Sequence, residues 1–260
     1  MNLWRSMKKV VIEASVLEQP NPSGVNYFTD GLANALEAYV HKELNIEYLW
    51  LNFLGRKHPI NTLTKKAMTE NRLHQVRIIP QRLYAKLVSF GVAPPLFIKN
   101  TDWNIFPNFY VWPILPNRKT AVVVHDLCFL RYPDYVEEKN RAFLTRTVAS
   151  SVKKADLVIA VSEFTKSELI NLLDVPASKI FVVDIPVNGA QFSDDLNKGN
   201  EYLKSTFGIR KKYILGISTL EPRKNFETLV KAYCLLPEKI RKSYSLVIAG
   251  GWGWKSETLR

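Results

Sequence analysis

The sequence predicts an α/β fold in which parallel strands alternate with helices. Short runs of Val, Ile and aromatic residues recur along the chain, several of them apolar on both faces, as buried parallel strands are. The predicted strands are residues 9–14, 46–52, 103–106, 120–125, 157–161 and 180–184. Helical periodicity separates them at residues 25–39, 136–154 and 166–173. This alternation favours a doubly wound parallel sheet, whose ligands bind at the carboxyl ends of the strands.

The same pattern divides the chain into two domains of unequal size. Residues 1–186 form the first domain, residues 187–200 a polar linker and residues 201–260 the start of a second domain. The second domain has a strand at 213–217, a helix at 226–236 and a strand at 244–249. A single βαβ unit leaves sheet edges and an apolar face uncovered, so the pattern predicts a second domain that is incomplete.

The charge of the chain is strongly positive. The 36 Lys and Arg residues exceed the 24 Asp and Glu residues among 260, which gives a formal net charge of +12. This excess favours polyanionic partners: phosphorylated substrates or an anionic membrane surface. No DNA-reading motif accompanies it, so no nucleic-acid partner is expected. The sequence also lacks metal-ligand spacing, a signal peptide and an apolar run of membrane-spanning length, which indicates a cytoplasmic protein with reduced thiols at Cys128 and Cys234.

The segment at residues 216–225 predicts an anion site. An apolar strand enters it, and Asn225 stands where a helix N-cap is expected. Arg223 and Lys224 therefore lie beside the free N–H groups and the positive dipole end of a helix, a combination that suits a pyrophosphate. The alternative is an ordinary solvated basic turn.

Two further turns follow predicted strands of the first domain. The loop at residues 20–27 contains Ser23, which can cap a helix, and Gly24, which lets a ligand approach the backbone; a plain βα turn is the alternative. His125 and Asp126 end an apolar strand and so face the ligand crevice. Without further information, a structural histidine remains the alternative.

The remaining candidate residues have structural explanations of comparable weight. Ser162 caps the helix after a strand, and capping accounts for it fully. Gly250 and Gly251 leave room for a nucleotide, whereas Trp252 and Trp254 beside them suit packing equally well.

A basic stretch runs from residue 65 to residue 90. After Pro80 the pattern predicts a helix with an apolar face and flanking cations, which suits an anionic membrane surface. The membrane-facing candidates are Lys65, Lys66, Arg82 and Lys86. A solvated basic face over the core is the alternative.

Together these motifs resemble retaining glycosyltransferases of the GT-B fold, family 4 in the sequence classification. The residues Glu221-Pro222-Arg223-Lys224-Asn225 look like the family's E-P-R-K-N signature. The other matches follow the family's order along the chain, over roughly residues 8 to 257: Gly24, His125-Asp126, the V-S-E-F-T-K run at 161–166 and Asn188-Gly189.

The resemblance implies two Rossmann-like domains and transfer of a hexose, with mannose preferred, from a nucleotide diphosphate sugar. GDP-mannose is the favoured donor, a bacterial envelope glycan or lipid-linked molecule is the acceptor, and no cofactor or metal is expected. Because many such enzymes modify lipid-linked acceptors, the resemblance also implies a peripheral position on the inner face of the cell membrane.

The resemblance also implies roles for single residues. His125 lies beside the transferred sugar as the catalytic residue, and Arg223 with Lys224 holds the donor pyrophosphate. Ser23 and Gly24 form the loop between donor and acceptor. The wall of the cleft is formed by Asp126, Ser162, Gly250 and Gly251.

The sequence departs from the family's pattern at three points. The loop carries the single Gly24 where many members have two glycines, and Ser218 stands where many have a further arginine. The family's E-x7-E motif would lie beyond Arg260. Two other functions therefore remain open: a catalytically incompetent fragment or half of a split enzyme that needs a second chain, and a basic module that binds membranes or polyanions.

Overall fold

The computed structural model describes residues 7–40, 43–53, 55, 58–96, 100–187 and 195–259. The chain divides into two compact units. The first comprises Met1–Pro133 with Glu138–Asn188, and the second comprises Asp134–Glu137 with Gly189–Arg260. The Asn188-Gly189 pair of the family pattern lies outside the described residues.

A parallel sheet forms the centre of the first unit. Within the described residues it has seven strands in the order β3-β2-β1-β4-β5-β6-β7. The strands are β1 Lys8–Glu13, β2 Leu44–Leu51, β3 Leu73–Val76, β4 Trp103–Phe106, β5 Lys119–Val124, β6 Leu157–Ala160 and β7 Ile180–Val182. The strand order reverses between β1 and β4, and in open α/β sheets such a switch point is where ligands bind.

The strands predicted from the sequence are all present, and the doubly wound class is confirmed. The strand that the sequence did not predict is β3, an edge strand with the sequence LHQV and four half-buried residues. The helices of this unit are α1 Gly24–Val40, α2 Thr62–Thr69, α3 Gln81–Ser89, α4 Cys128–Arg131, α5 Glu138–Lys154 and α6 Glu163–Leu173.

Helices α1 and α2 cover one face of the sheet. Val10 and Ile12 of β1 pack in one buried cluster with Ala33 of α1 and with Leu63 and Ala67 of α2. A neighbouring cluster places Phe28 and other apolar residues on the same side of strands β5 and β6; its buried members are Phe28, Ala121, Val123, Ile159 and Val161. Burial of this apolar surface is the main stabilising contribution of α1.

Helices α3 and α5 lie over the opposite face. Val11 and Glu13 alternate with the residues above and so point to this side, where they line a cavity with Trp112. The ring of Tyr84 on α3 contacts Trp112 edge-on, with 5.5 Å between centroids. On α5, the Ser151 hydroxyl accepts a hydrogen bond from the N–H of Val111 at 3.0 Å.

The end of the first unit packs on its first helix. A Cβ atom added to Gly31 of α1 would lie 2.2 Å from Cγ of Pro186, so the proline ring occupies the space that a side chain would need. Residue 31 therefore has to be a glycine for residue 186 to pack there.

The second unit contains a smaller parallel sheet. Strands β8 Lys212–Ile217 and β9 Tyr244–Ala249 pair in register from Lys212 with Tyr244 onwards. The unit's helices are α7 Leu196–Phe207, α8 Phe226–Cys234 and α9 Glu238–Ser243. The predicted βαβ unit is therefore present, and the residues of β8 are half-buried or exposed along its whole length.

Helix α7 differs from the sequence prediction. Its first five residues fall in residues 187–200, which the polar composition predicts to be a linker. The side chain of Asp195 accepts a hydrogen bond from the N–H of Lys198 at 3.0 Å, and Gly208 ends the helix in the left-handed conformation. These caps favour the helix although its residues bury no core surface.

Candidate functional site

The loop after β1 is anchored by buried hydrogen bonds before it reaches Ser23. It begins with a 3-10 turn at Ser15–Glu18. The carboxylate of Glu18 accepts hydrogen bonds from the N–H of Ile60 at 2.7 Å and from the hydroxyl of Thr64. The amide of Asn26 donates to the carbonyl of Val16 at 2.9 Å. The loop is therefore held at both ends, and its exposed residues lie between Glu18 and Asn26.

Ser23 and Gly24 begin helix α1 within that exposed part. The carbonyl of Ser23 accepts the helical hydrogen bond from the N–H of Tyr27 at 3.1 Å. Gly24 is the first helical residue, and a Cβ atom added to it would meet no atom within 4 Å. The described protein atoms thus leave open space at Gly24, as the sequence prediction of a ligand-facing loop requires.

His125 follows β5 and packs against aromatic rings. Its ring centroid lies 5.2 Å from that of Phe28 on α1 and 5.3 Å from that of Phe109. The Nε2 atom lies 2.8 Å from the carbonyl oxygen of Pro107. Because a carbonyl oxygen only accepts hydrogen bonds, Nε2 carries the hydrogen and the neutral ring keeps Nδ1 as an acceptor.

Burial lowers the pKa of His125 below its ordinary value of 6.5. Desolvation of the charged ring has the largest effect, and the Pro107 carbonyl and the Asp126 charge oppose it. The imidazole is therefore neutral at pH 7. In this state it can accept a hydrogen bond from a hydroxyl group, but it carries no positive charge with which to bind a phosphate.

The backbone carbonyl of His125 contacts helix α6. The hydroxyl of Thr165 lies 3.3 Å from this carbonyl oxygen and donates to it. Ser162 caps α6 as the sequence predicts, because its hydroxyl accepts a hydrogen bond from the N–H of Thr165 at 3.1 Å. Ser162 thus acts on the site through Thr165.

Asp126 has a local structural role. Its Oδ1 atom accepts a hydrogen bond from the N–H of Cys128 at 3.1 Å, at the beginning of helix α4. This contact orients the carboxylate toward the turn that follows His125. The charge of Asp126 raises the pKa of His125, against the larger opposite effect of burial.

A buried carboxyl group lies near this end of the sheet, and the sequence did not indicate it. Glu13 is the last residue of β1, and its Oε1 atom accepts a hydrogen bond from the N–H of Ser15 at 2.7 Å. Burial raises the pKa of Glu13 to about 7. Burial, with a smaller contribution from the nearby charge of Glu13, raises the pKa of Tyr110 to about 12. Glu13 ends a strand whose other last residues are apolar and buried, and this position is the sequence signal for a buried carboxyl group.

In the second unit, Arg223 and Lys224 lie on the turn between β8 and α8. Residues Pro222–Lys224 form one turn of 3-10 helix. The Nε atom of Arg223 lies 3.1 Å from Oε1 of Glu221, so the two form an ion pair within the turn. Lys224 is exposed. The two predicted phosphate-binding cations are therefore on one exposed turn.

Asn225 occupies the N-cap position of α8, as the sequence predicts. It is in the left-handed region with φ 52°, and its side chain makes no capping bond. Asparagine tolerates this conformation better than most residues. Its role here is to turn the backbone out of the 3-10 helix into α8.

The glycines after β9 pack beside the same turn. A Cβ atom added to Gly250 would lie 1.8 Å from the carbonyl oxygen of Ser218, so residue 250 has to be a glycine because of the protein's own backbone. The N–H of Leu220 donates to the carbonyl of Gly251 at 2.9 Å, and an added Cβ at Gly251 would meet no atom within 4 Å. Space for a ligand is therefore found at Gly251.

The four predicted membrane-facing cations do not share one helix face. Lys65 and Lys66 are exposed on α2, whereas Arg82 and Lys86 are exposed on α3, and these helices cover opposite faces of the sheet. Tyr84, an apolar-face residue of α3, is fully buried and donates its hydroxyl hydrogen to the carbonyl of Pro94 at 2.9 Å. The apolar face of α3 is thus partly core.

The described residues contain no group of three or more His, Cys, Asp or Glu side chains arranged to hold a metal ion. Among them, no helix has both the length and the hydropathy needed to span a membrane.

Comparison with known proteins places the chain in a family. The model of Glycosyltransferase Family 4 matches residues 57–189, which are 133 of the 260 residues. The chain belongs to this family. The matched region contains His125 and Ser162 and ends before Arg223.

Two curated relatives from Escherichia coli are mannosyltransferases by name. O-antigen chain mannosyltransferase B is 30% identical over 155 residues, which are 59% of this chain and 40% of the relative. The serotype-specific mannosyltransferase WbdA is 31% identical over 135 residues, which are 50% of this chain and 16% of the relative. The chain therefore spans less than half the length of these relatives.

Solved structures share the fold. Anabaena Alr3699/HepE in complex with UDP and glucose has a TM-score of 0.56 and 15% identity, over 97% of this chain and 63% of that one. The complex of the same protein with UDP-glucose also has a TM-score of 0.56. At this identity the likeness shows the fold, and it confirms the GT-B type that the motifs predict for this family 4 member.

Proposed function

We propose that the chain serves in a glycosyltransferase that moves a hexose, with mannose preferred, from a nucleotide diphosphate sugar to a bacterial envelope glycan or a lipid-linked acceptor. The observation that carries the proposal is the family 4 match, because it includes His125 held as a neutral ring at the end of β5. We further propose that the reaction retains the anomeric configuration and takes place at the inner face of the cell membrane.

In this proposal His125 contacts the transferred sugar. Its neutral ring has Nδ1 available to accept a hydrogen bond from a sugar hydroxyl, since the Nε2 hydrogen is donated to the carbonyl oxygen of Pro107. Its backbone carbonyl has two lone pairs and uses one for the Thr165 hydroxyl. The second is suited to stabilising positive charge that develops at the anomeric carbon.

Arg223 and Lys224 are proposed to bind the donor pyrophosphate. Both are on the exposed turn before α8, where free backbone N–H groups of the helix add partial positive charge. The Glu221 carboxylate beside Arg223 orients the guanidinium while reducing its net charge. These cations would stabilise the negative charge on the diphosphate as it leaves.

The donor is proposed to be GDP-mannose. The mannosyltransferase names of the two relatives support the sugar, although the chain covers only part of each of them. HepE has been solved in complex with UDP and with UDP-glucose. UDP-glucose is therefore the donor with which GDP-mannose should be compared. No metal is assigned a role in the proposal.

Isothermal titration of the purified chain with GDP-mannose, UDP-glucose, GDP and UDP tests the proposal. We expect saturable binding of GDP-mannose and at least a tenfold loss of affinity in the Arg223→Ala/Lys224→Ala variant. The matched control is Arg210→Ala/Lys211→Ala, which removes the same two charges from exposed residues before β8. The control should bind as the unchanged chain does.

Three outcomes decide between the functions left open by the sequence. Equal loss of binding in both variants would indicate nonspecific attraction of polyanions and a basic binding module. Absence of heat with every nucleotide, from a chain shown to be folded by circular dichroism, would exclude donor binding by this chain alone. Donor binding without sugar transfer would support one half of a split enzyme that needs a second chain.

A further inference from the structure

The first unit contains an open groove between helices α3 and α5. Its volume is about 870 Å³, which is ample for a ligand of lipid or oligosaccharide size. Residues from both helices line it at helical spacing, with Arg82 and Lys86 on α3 and Lys139, Phe143 and Arg146 on α5. Arg82 and Lys86 are two of the four cations that the sequence predicts to face a membrane, whereas the cations of α5 have no predicted role.

The charge of this groove is entirely positive. Its lining includes four cations, Arg82, Lys86, Lys139 and Arg146, and no aspartate or glutamate. Among the residues that the structure describes, none of the four has a carboxylate within 4 Å, whereas Arg72 is paired with Glu37 and Glu70. Four unpaired like charges repel one another, and a bound anion would remove that repulsion.

Aromatic rings form the other part of the lining. Phe90 is 57% exposed at the end of α3, and the guanidinium of Arg146 lies over its ring at 5.3 Å. Tyr110 and Phe143 make an edge-to-face contact at 5.1 Å between centroids. A free phosphate or a purely polar anion would leave the rings of Phe90 and Phe143 in contact with water. The lining therefore fits a ligand that carries both an anionic group and an apolar chain.

The inner end of the groove reaches the residues around His125. Asn108 and Phe109 line that end, and the ring of Phe109 contacts the His125 ring. Phe109 also has a φ of 66°, a conformation that is uncommon for a bulky residue and is found preferentially at functional sites. A ligand in the groove thus has one end close to the proposed sugar site.

We propose that this groove binds the phosphate or diphosphate group of a single amphiphilic lipid through Arg82, Lys86, Lys139 and Arg146, with the lipid chain against Phe90 and Phe143. That the lipid is the sugar acceptor rests on the proposed function. The binding itself rests on the groove alone and can be measured without a nucleotide sugar.

The test is isothermal titration with farnesyl diphosphate below its critical micelle concentration. Every protein in the experiment carries Arg223→Ala and Lys224→Ala, so that binding of the diphosphate to the turn before α8 does not contribute to the measured heat. In this background we expect saturable binding of one molecule per chain. Lys86→Gln/Lys139→Gln should weaken it at least tenfold, because two charge-assisted contacts to phosphate are lost.

The matched control is Lys153→Gln/Lys154→Gln, which removes two exposed lysines from the end of α5. Its affinity should stay within about twofold of the background protein, since these lysines lie outside the groove lining. Equal weakening in both variants, or no weakening in the groove variant, would overturn the proposal. Circular dichroism melting curves establish that all variants are folded.

Two further ligands separate an amphiphile site from a simple anion site. Farnesol, which lacks the diphosphate, and inorganic pyrophosphate, which lacks the chain, should each bind at least tenfold more weakly than farnesyl diphosphate. Inorganic pyrophosphate that binds as tightly would overturn the assignment to an amphiphile. Because no sugar transfer is measured, a chain that proves inactive as a transferase still gives a decisive result here.

Discussion

The Nε2 atom of His125 lies 2.8 Å from the carbonyl oxygen of Pro107, and this contact fixes which ring nitrogen carries the hydrogen. The rings of Phe28 and Phe109 contact the same imidazole from two different segments. Orientation and protonation state of His125 are therefore both set by the first unit, before any ligand is considered. A histidine held in this way is prepared to accept a hydrogen bond rather than to exchange protons.

His125→Gln should remove part of the acid sensitivity of folding. Because burial lowers the pKa of His125 in the folded chain, the unfolded chain binds an extra proton as pH falls below about 6.5. The free energy of unfolding contributed by the neutral ring is present above that pH and is lost as pH falls through the lower folded pKa. Glutamine keeps a donor for Pro107 and does not titrate.

Urea denaturation between pH 5 and pH 8 measures this effect. The stability of the unchanged chain relative to His125→Gln should decrease toward acid pH. If the unfolding free energy of the unchanged chain minus that of His125→Gln stays constant over this range, or increases toward acid pH, His125 is not a neutral ring with a lowered pKa.

Glu13→Gln should have the opposite pH dependence. Burial raises the pKa of Glu13 from 4.5 to about 7, so the unfolded chain loses its proton first as pH rises. The unchanged chain therefore loses unfolding free energy between about pH 4.5 and pH 7, by on the order of 3 kcal/mol. Glutamine retains an oxygen for the N–H of Ser15 and should be more stable than glutamate at pH 8.

Denaturation curves of both proteins at pH 5 and pH 8 provide the comparison. At pH 5 the carboxyl group is largely protonated in the folded chain, and the two proteins should differ least. Equal stability at pH 8 would show that Glu13 is ionised without cost at its buried position.

Gly250→Ala and Gly251→Ala form a matched pair of substitutions. The first places a Cβ atom 1.8 Å from the carbonyl oxygen of Ser218, so the backbone at Ser218 has to move. The second meets no atom within 4 Å. We expect Gly250→Ala to lower the unfolding free energy of the second unit by about 1–3 kcal/mol and to weaken nucleotide binding.

Limited proteolysis and nucleotide titration distinguish the two variants. Gly251→Ala should retain the cleavage pattern of the unchanged chain, whereas Gly250→Ala should expose new sites around residues 218–225. Nucleotide affinity that survives Gly250→Ala would mean that this turn does not hold the pyrophosphate.

The sequence predicted those elements whose residues are apolar on a regular period. Strand β5, for example, ends in four consecutive buried apolar residues, and His125 follows them directly, as predicted. Strand β3 and helix α7 escaped prediction because neither buries an apolar stripe. Strand β3 forms by pairing with β2, and capping by Asp195 favours helix α7. Such elements depend on contacts and caps that a periodic pattern does not contain.

The site was predicted less completely than the fold. The sequence predicts Arg223 and His125 as site residues, and that remains a prediction. The ion pair of Arg223 with Glu221 and the hydrogen bond of His125 to Pro107 depend on three-dimensional proximity. The groove between α3 and α5 brings Lys86 and Lys139 together although 53 positions separate them in the sequence. A cluster of charges from distant helices has no local sequence signal.

The packing of Pro186 on Gly31 has a consequence for synthesis on the ribosome. The first helix is made early, but its surface at Gly31 remains uncovered until about 155 further residues have been translated and residue 186 has left the exit tunnel. The central strand β1 likewise waits for β4 to cover its second edge. A nascent chain shorter than this should be held open and sensitive to proteases, and it should close only when the last residues of the first unit emerge.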